Sequence, residues 1–222
     1  MTSDAPEAGK TFFKDLNLDQ RVLDAITDIG FEHCTPIQAE TLPFTLACQD
    51  LIGQAQTGTG KTAAFGLPLL ARLDPALKAP QMLVLAPTRE LAIQVAAALE
   101  TFATGLKGLN VVPIYGGGGY RDQLKALKNG AQVIVGTPGR VMDHMERGSL
   151  KLDHLKALVL DEADEMLRMG FIDDVEAILA KTPDTCQRAL FSATMPPQIK
   201  KVAQTYLKNA TEVRIESETR TV

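Results

Sequence analysis

The sequence predicts an α/β domain, a predominantly parallel sheet covered by helices on both faces. Three observations carry that expectation. Short apolar runs alternate with helix-spaced segments along nearly the whole chain. Several runs, such as Met82-Leu83-Val84-Leu85 and Leu158-Val159-Leu160, are apolar at every position, as in strands covered on both sides. The 222 residues are 45% hydrophobic and 23% charged, which suits one domain with a sizeable core.

In chain order, residues 1–10 read as a flexible N-terminal tail and 11–222 as the folded domain. Helices are expected near Asp19 to Ile29 and Ile37 to Ala47, the second kinked or split at Pro43. The β-branched or leucine-rich runs Asp50 to Gly53, Gln81 to Ala86, Asn110 to Tyr115, Ala131 to Gly136, Ala157 to Leu160, Arg188 to Ser192 and Val213 to Ile215 read as strands. Between them, Lys61 to Leu73, Arg89 to Phe102, Tyr120 to Asn129, Val141 to Arg147, Glu162 to Met169 and Ile172 to Lys181 space their apolar residues as helices do.

Composition excludes several classes. With 23 Lys plus Arg against 27 Asp plus Glu, the net charge of -4 supplies no whole-chain attraction for phosphate or anionic lipid, so any nucleic-acid contact must be local. The three cysteines, Cys34, Cys48 and Cys186, fit neither a disulfide framework nor a zinc site, and a reducing cytoplasm is the expected location. The acidic start does not resemble a signal peptide, and the run Ala63 to Ala71 is too short to span a bilayer.

In a parallel sheet, ligands collect at the carboxyl ends of the strands. After the first predicted strand comes Ala55-Gln56-Thr57-Gly58-Thr59-Gly60-Lys61-Thr62, opening a helix. Gly58 and Gly60 allow backbone N–H groups to turn around phosphate oxygens, Lys61 reaches the outer phosphates and the Thr62 hydroxyl can ligate Mg2+. This is a phosphate-binding loop with Ala55 in the first glycine position. At the end of another buried strand, three carboxylates crowd into Asp161-Glu162-Ala163-Asp164 and call for a cation. Asp161 is placed to hold the Mg2+ of a nucleotide, and Glu162 to accept a proton from attacking water.

These two segments, with Ser192-Ala193-Thr194, resemble the DEAD-box RNA helicase family, specifically its first RecA-like core domain. The resemblance extends over nearly the whole chain through seven ordered motifs. The others are Phe13, seventeen residues before Gly30, with Gly30-Phe31 and Thr35-Pro36-Ile37-Gln38; Pro87-Thr88-Arg89-Glu90-Leu91-Ala92; Gly116-Gly117; and Thr137-Pro138-Gly139-Arg140. The segment Glu165 to Phe171 is similar to the family's bacterial cold-shock-type branch.

The resemblance implies ATP or ADP with Mg2+ as ligands, and RNA as partner. Gln38 would pair with the adenine edge. Two roles are open to Phe13: stacking on the base, or pinning the N-terminal arm. Ser192 and Thr194 would bond Asp164 and couple nucleotide state to strand separation. Pro87, Thr88, Arg89, Gly116, Gly117, Thr137, Pro138, Gly139 and Arg140 would hold the RNA backbone with little sequence preference. Two departures stand out: Cys34 occupies a position where most members carry proline, and Gly118-Gly119 extend the glycine doublet. The family's His-Arg-x-Gly-Arg-x-x-Arg motif is absent from the sequence, so a second RecA-like domain carrying the arginine finger is expected elsewhere in the polypeptide. Alone, this domain should bind nucleotide and hydrolyse it poorly. A different P-loop ATPase, or a catalytically inert RNA-binding module, are the alternatives.

Overall fold

The computed structural model describes residues 10–56 and 58–216, so the expected tail lies outside it apart from Lys10, as does Thr57. All the expected strands form: β1 (Leu51–Gln54), β2 (Met82–Leu85), β3 (Val111–Ile114), β4 (Val133–Gly136), β5 (Ala157–Leu160), β6 (Gln187–Ser192) and β7 (Thr211–Arg214). The helices are α1 (Gln20–Asp28), α2 (Pro36–Leu46), α3 (Lys61–Leu70), α4 (Arg89–Phe102), α5 (Tyr120–Lys128), α6 (Pro138–Glu146), α7 (Ala163–Arg168), α8 (Ile172–Ala180) and α9 (Pro197–Tyr206). A short 3-10 turn at Phe13–Asp15 and α9 have no counterpart in the sequence reading.

One sheet forms in the order β3-β4-β2-β5-β6-β1-β7, and its strands pair in parallel throughout. Why the central strands β2, β4 and β5 carry no polar side chain is visible in the packing. Met82 and Val84 of β2 enter one core with α1, α2, α3 and α4, while Leu83 and Leu85 enter another with α6, α7, α8 and α9. Val159 and Leu158 of β5 divide in the same way. Each central strand therefore needs apolar side chains on both faces.

Of the kink or split expected in α2, the split does not occur: the helix runs through Pro43 without interruption. Proline withholds one N–H, a loss that tertiary packing can cover. Ile37 and Leu42 seat the helix in the core, and the Thr41 hydroxyl donates to the Ile37 carbonyl at 2.6 Å. A second proline, Pro68 in α3, leaves the Ala64 carbonyl without its helical donor. The Thr45 hydroxyl of α2 reaches that carbonyl at 3.5 Å, so one helix partly covers the other's loss.

Because all strands are parallel, every loop that follows a strand emerges along one edge of the sheet. The loops after β5, β6 and β1 lie side by side, and so do those after β3, β4 and β2. The two sets meet where β2 pairs with β5, Leu85 opposite Leu160.

Candidate nucleotide and nucleic-acid sites

The phosphate-binding loop leaves β1 and turns into α3 through two left-handed glycines, Gly58 (φ +83°) and Gly60 (φ +81°). Gly60 is the residue preceding α3, and no side chain caps the helix there. The N–H groups of the first turn are thus left for an anion, with the helix dipole behind them. A Cβ at Gly60 would come within 2.5 Å of Gln38 Nε2.

Lys61 Nζ lies 2.8 Å from Asp161 Oδ1 and 3.4 Å from Glu162 Oε1, bringing the loop and the acidic strand end together. The Asp161 side chain is wholly buried. Burial pushes its carboxyl pKa up, and the Lys61 ammonium opposes that shift. Oδ2 of Asp161 has no hydrogen-bond partner among the described residues. An orphaned, buried carboxylate oxygen and the Thr62 hydroxyl of the adjoining loop are the hard oxygen donors that suit Mg2+ carried by a nucleotide. Glu162 itself is held in the left-handed region (φ +53°, ψ +54°), uncommon for a non-glycine residue, and its side chain is one-fifth exposed.

Asp164 receives both residues of the Ser-Ala-Thr segment at the end of β6. Its N–H donates to Ser192 Oγ at 3.1 Å, while the Thr194 hydroxyl and N–H donate to its Oδ2 at 2.8 and 3.1 Å. Burial alone would raise this carboxyl, but the bonds involving Thr194, Ser192 and the Glu165 N–H hold it below the usual carboxylate value.

Gln38 sits in the first turn of α2, where its Oε1 accepts from the Thr35 N–H at 2.9 Å in a capping box. Its Nε2 donates to the Gly60 carbonyl at 2.9 Å, and the Thr35 hydroxyl donates to the Thr59 carbonyl at 2.7 Å. The Thr35–Gln38 pair therefore clasps the phosphate-binding loop, with one carboxamide N–H and one lone pair left over. The Thr-x-x-Gln spacing signals the cap, but the reach of Thr35 to the Thr59 carbonyl spans 24 residues and has no local pattern.

Phe13 is placed differently from a base-stacking ring. It is 1% exposed within the core and lies against Phe31, ring centroids 6.3 Å apart. A ring enclosed there has no face for a base, and pinning the N-terminal arm is the role its surroundings match. Cys34 contributes to the same anchorage, donating its N–H to the Thr11 carbonyl at 2.8 Å, a bond that proline could not make.

The second set of loops collects the other residues. Thr88 caps α4, accepting from the Leu91 N–H, and exposed Arg89 follows with its guanidinium 5.0 Å from the Tyr115 ring centre. The Gly116 N–H donates to the Thr137 hydroxyl at 3.4 Å. Pro138 and Gly139 open α6, and Arg140 donates to the Gly118 carbonyl and to Gln123 Oε1 at 3.4 and 3.0 Å. At Gly116, Gly117 and Gly139 an added Cβ would meet nothing within 4 Å among the described residues, so the loop backbones are open to close approach. Tyr115 and Gln123 carried no signal in the sequence.

A phosphate-binding loop facing a buried acidic strand end, on the same parallel sheet edge as a cluster of arginine-bearing loops, defines a RecA-like P-loop core domain. A family model described as DEAD/DEAH box helicase matches residues 35–202, and the chain belongs to that family. It is 58% identical over 208 residues to the ATP-dependent RNA helicase DeaD of Escherichia coli K12, covering 94% of this chain and 33% of that protein. It is 55% identical to DeaD of Mycobacterium tuberculosis (strain CDC 1551 / Oshkosh) over 97% of this chain and 38% of the relative. The chain thus spans about a third of the length of these relatives. A crystal structure of a DEAD box protein from the hyperthermophile Methanococcus jannaschii matches with a TM-score of 0.88 at 44% identity, covering 93% of this chain and 57% of that one. A hypothetical ATP-dependent RNA helicase from Sulfolobus tokodaii matches at 0.81 and 36%, covering 89% and 57%.

Proposed function

We propose that the chain is the ATP- and RNA-binding half of a DEAD-box RNA helicase, coupling ATP binding and hydrolysis to local unwinding of RNA. The observation that carries this reading is the division of one sheet edge into two neighbouring sets of loops. One set, after β5, β6 and β1, presents an open helix N-terminus, a lysine and buried carboxylates. The other presents Arg89 and Arg140 beside open glycines.

On binding ATP, Lys61 exchanges its contact with Asp161 for the outer phosphates. Asp161 and Thr62 would hold Mg2+, which would supply neutralisation of the phosphate charge. Glu162 takes a proton from the attacking water. The free N–H and lone pair of Gln38 read the adenine edge, so nucleotide identity is sensed by the group that grips Gly60. The second RecA-like domain supplies the arginine finger, and without it hydrolysis is slow, since such a finger contributes about 10³ to 10⁵ in rate. The relatives' greater length supports that division of labour. The proposed location is the cytoplasm, as the unpaired cysteines suggest; no helix among the described residues is long and apolar enough to cross a membrane.

Calorimetry with ADP and GDP tests the nucleotide half. ADP should bind more tightly, and Gln38→Ala should weaken it. Equal affinity for both nucleotides, or unchanged ADP affinity in the variant, would remove the adenine-reading role.

A further inference from the structure

Along α5 the surface residues are charged, yet the residue the helix buries is a glutamine, Gln123, 6% exposed. A buried carboxamide in place of an apolar side chain must satisfy its polar atoms locally. Gln123 does so with the two segments that carry the arginines. Its Nε2 donates to the Tyr115 carbonyl at 3.1 Å, and its Oε1 accepts from Arg140 Nη1 at 3.0 Å. Tyr115 is also the residue whose ring lies under Arg89. The carboxamide therefore links the support of one arginine to the guanidinium of the other.

The surroundings leave little slack. A Cβ at Gly118 would meet Tyr115 Cε2 at 2.6 Å and Gln123 Nε2 at 2.9 Å, so the carboxamide is packed against the loop backbone. Arg140 is also 5.6 Å from the Tyr120 ring, which stacks on buried His144 with centroids 4.6 Å apart. None of these partners is a carboxylate, and no ion pair to Arg89 or Arg140 occurs among the described residues. Carbonyl, carboxamide and ring faces orient a guanidinium without cancelling its charge.

We propose that Gln123 is a positioning residue that fixes Arg89 and Arg140 relative to one another, so that together they receive the phosphates of one RNA strand. This rests on the RNA reading above. It extends the RNA site to a residue that itself touches no RNA.

The test is single-stranded RNA binding by the complete polypeptide, titrated against salt, for Arg140→Ala, Gln123→Met, Gln123→Glu and the Gln123→Met/Arg140→Ala double variant. Unchanged ADP affinity reports folding, and Gln123→Asn replaces the Met variant should that fail. Gln123→Met should weaken RNA binding about 3- to 10-fold, the scale of one hydrogen bond. The double variant should lose less than the sum of the two single losses, because part of what Gln123 does runs through Arg140. Gln123→Glu, which pairs with and neutralises Arg140, should flatten the log–log salt slope by about 0.7, as Arg140→Ala does. If Arg140→Ala weakens binding while both Gln123 variants match the parent, or if the losses add, Gln123 only fills space. If Arg140→Ala itself changes nothing, the RNA reading fails and this proposal with it.

Discussion

Replacing Lys61 with methionine isolates the most heavily buried charge pair among the described residues. The ammonium stands 2.8 Å from a carboxylate whose side chain is wholly buried, and the lysine side chain is 9% exposed. At an effective dielectric of about 20, a pair at 2.8 Å attracts by about 6 kcal/mol. Methionine keeps the aliphatic stem and relieves the cost of burying the ammonium, but it abandons Asp161 without a counter-charge. Breaking one side of a buried pair costs about 3–5 kcal/mol, or about 6–20 °C in Tm for a domain of this size. Asp161→Asn in the Lys61→Met background should restore more than half of that loss, since no uncompensated charge remains. Urea unfolding of the nucleotide-free chain for the parent, both single variants and the double variant gives the coupling energy directly. A coupling below about 1 kcal/mol would mean that water reaches Asp161 and that the pair is as weak as a surface ion pair.

Three further outcomes follow from the geometry. In the complete polypeptide, Glu162→Gln should leave ATP binding nearly intact and slow hydrolysis about 10² to 10⁴-fold, measured as phosphate release under saturating RNA. Thr194→Ala removes the 2.8 Å hydroxyl bond to the Asp164 carboxylate and should cost about 1.5–3 kcal/mol in urea unfolding at pH 7, while Thr194→Ser should recover most of it. His144 is wholly buried, and that burial together with the Arg140 charge holds its pKa below the ordinary imidazole value. The unfolded chain therefore binds a proton first, so stability should fall as pH drops below about 6.5. A His144→Gln variant should lose that part of the slope in thermal melts between about pH 7.5 and about pH 5.5, about one unit either side of the ordinary histidine value.

The strands and the phosphate-binding loop were legible because each is written in consecutive residues: four apolar positions in Met82–Leu85, or a lysine directly after a left-handed glycine at Gly60. Helix α9 escaped because Met195-Pro196-Pro197 reads as a turn, although Ile199, Val202 and Ala203 form the apolar stripe that packs it on the sheet. Pro43 does not split α2 because a proline's effect depends on what packs around it. Phe13 kept two roles in the sequence because family spacing fixes where a residue stands along the chain and not which way its ring faces. The contacts of Gln123 with Tyr115 and Arg140 span 8 and 17 residues and cross between elements, so no local pattern records them.

The net charge of -4 hides an internal division. On the side of β5, β6 and β1, acidic groups have partners: Asp161 has Lys61, and Asp164 has Thr194 and Arg168. On the side of β3, β4 and β2, Arg89 and Arg140 are oriented by ring faces and neutral oxygens instead. A positive charge already matched by a carboxylate must give up that partner before it can take a phosphate. One held by a ring or a carbonyl need not. On the proposed reading, a protein acidic overall can therefore offer RNA a local pair of uncommitted charges, while its carboxylates would be kept for the lysine and the cation of the nucleotide. The boundary is the β2–β5 ladder, where the Asp161 N–H donates to the Leu85 carbonyl at 2.9 Å. Arg89 begins the helix that follows β2, and Asp161 directly follows β5, so the two sites are built on adjoining strands of one rigid sheet.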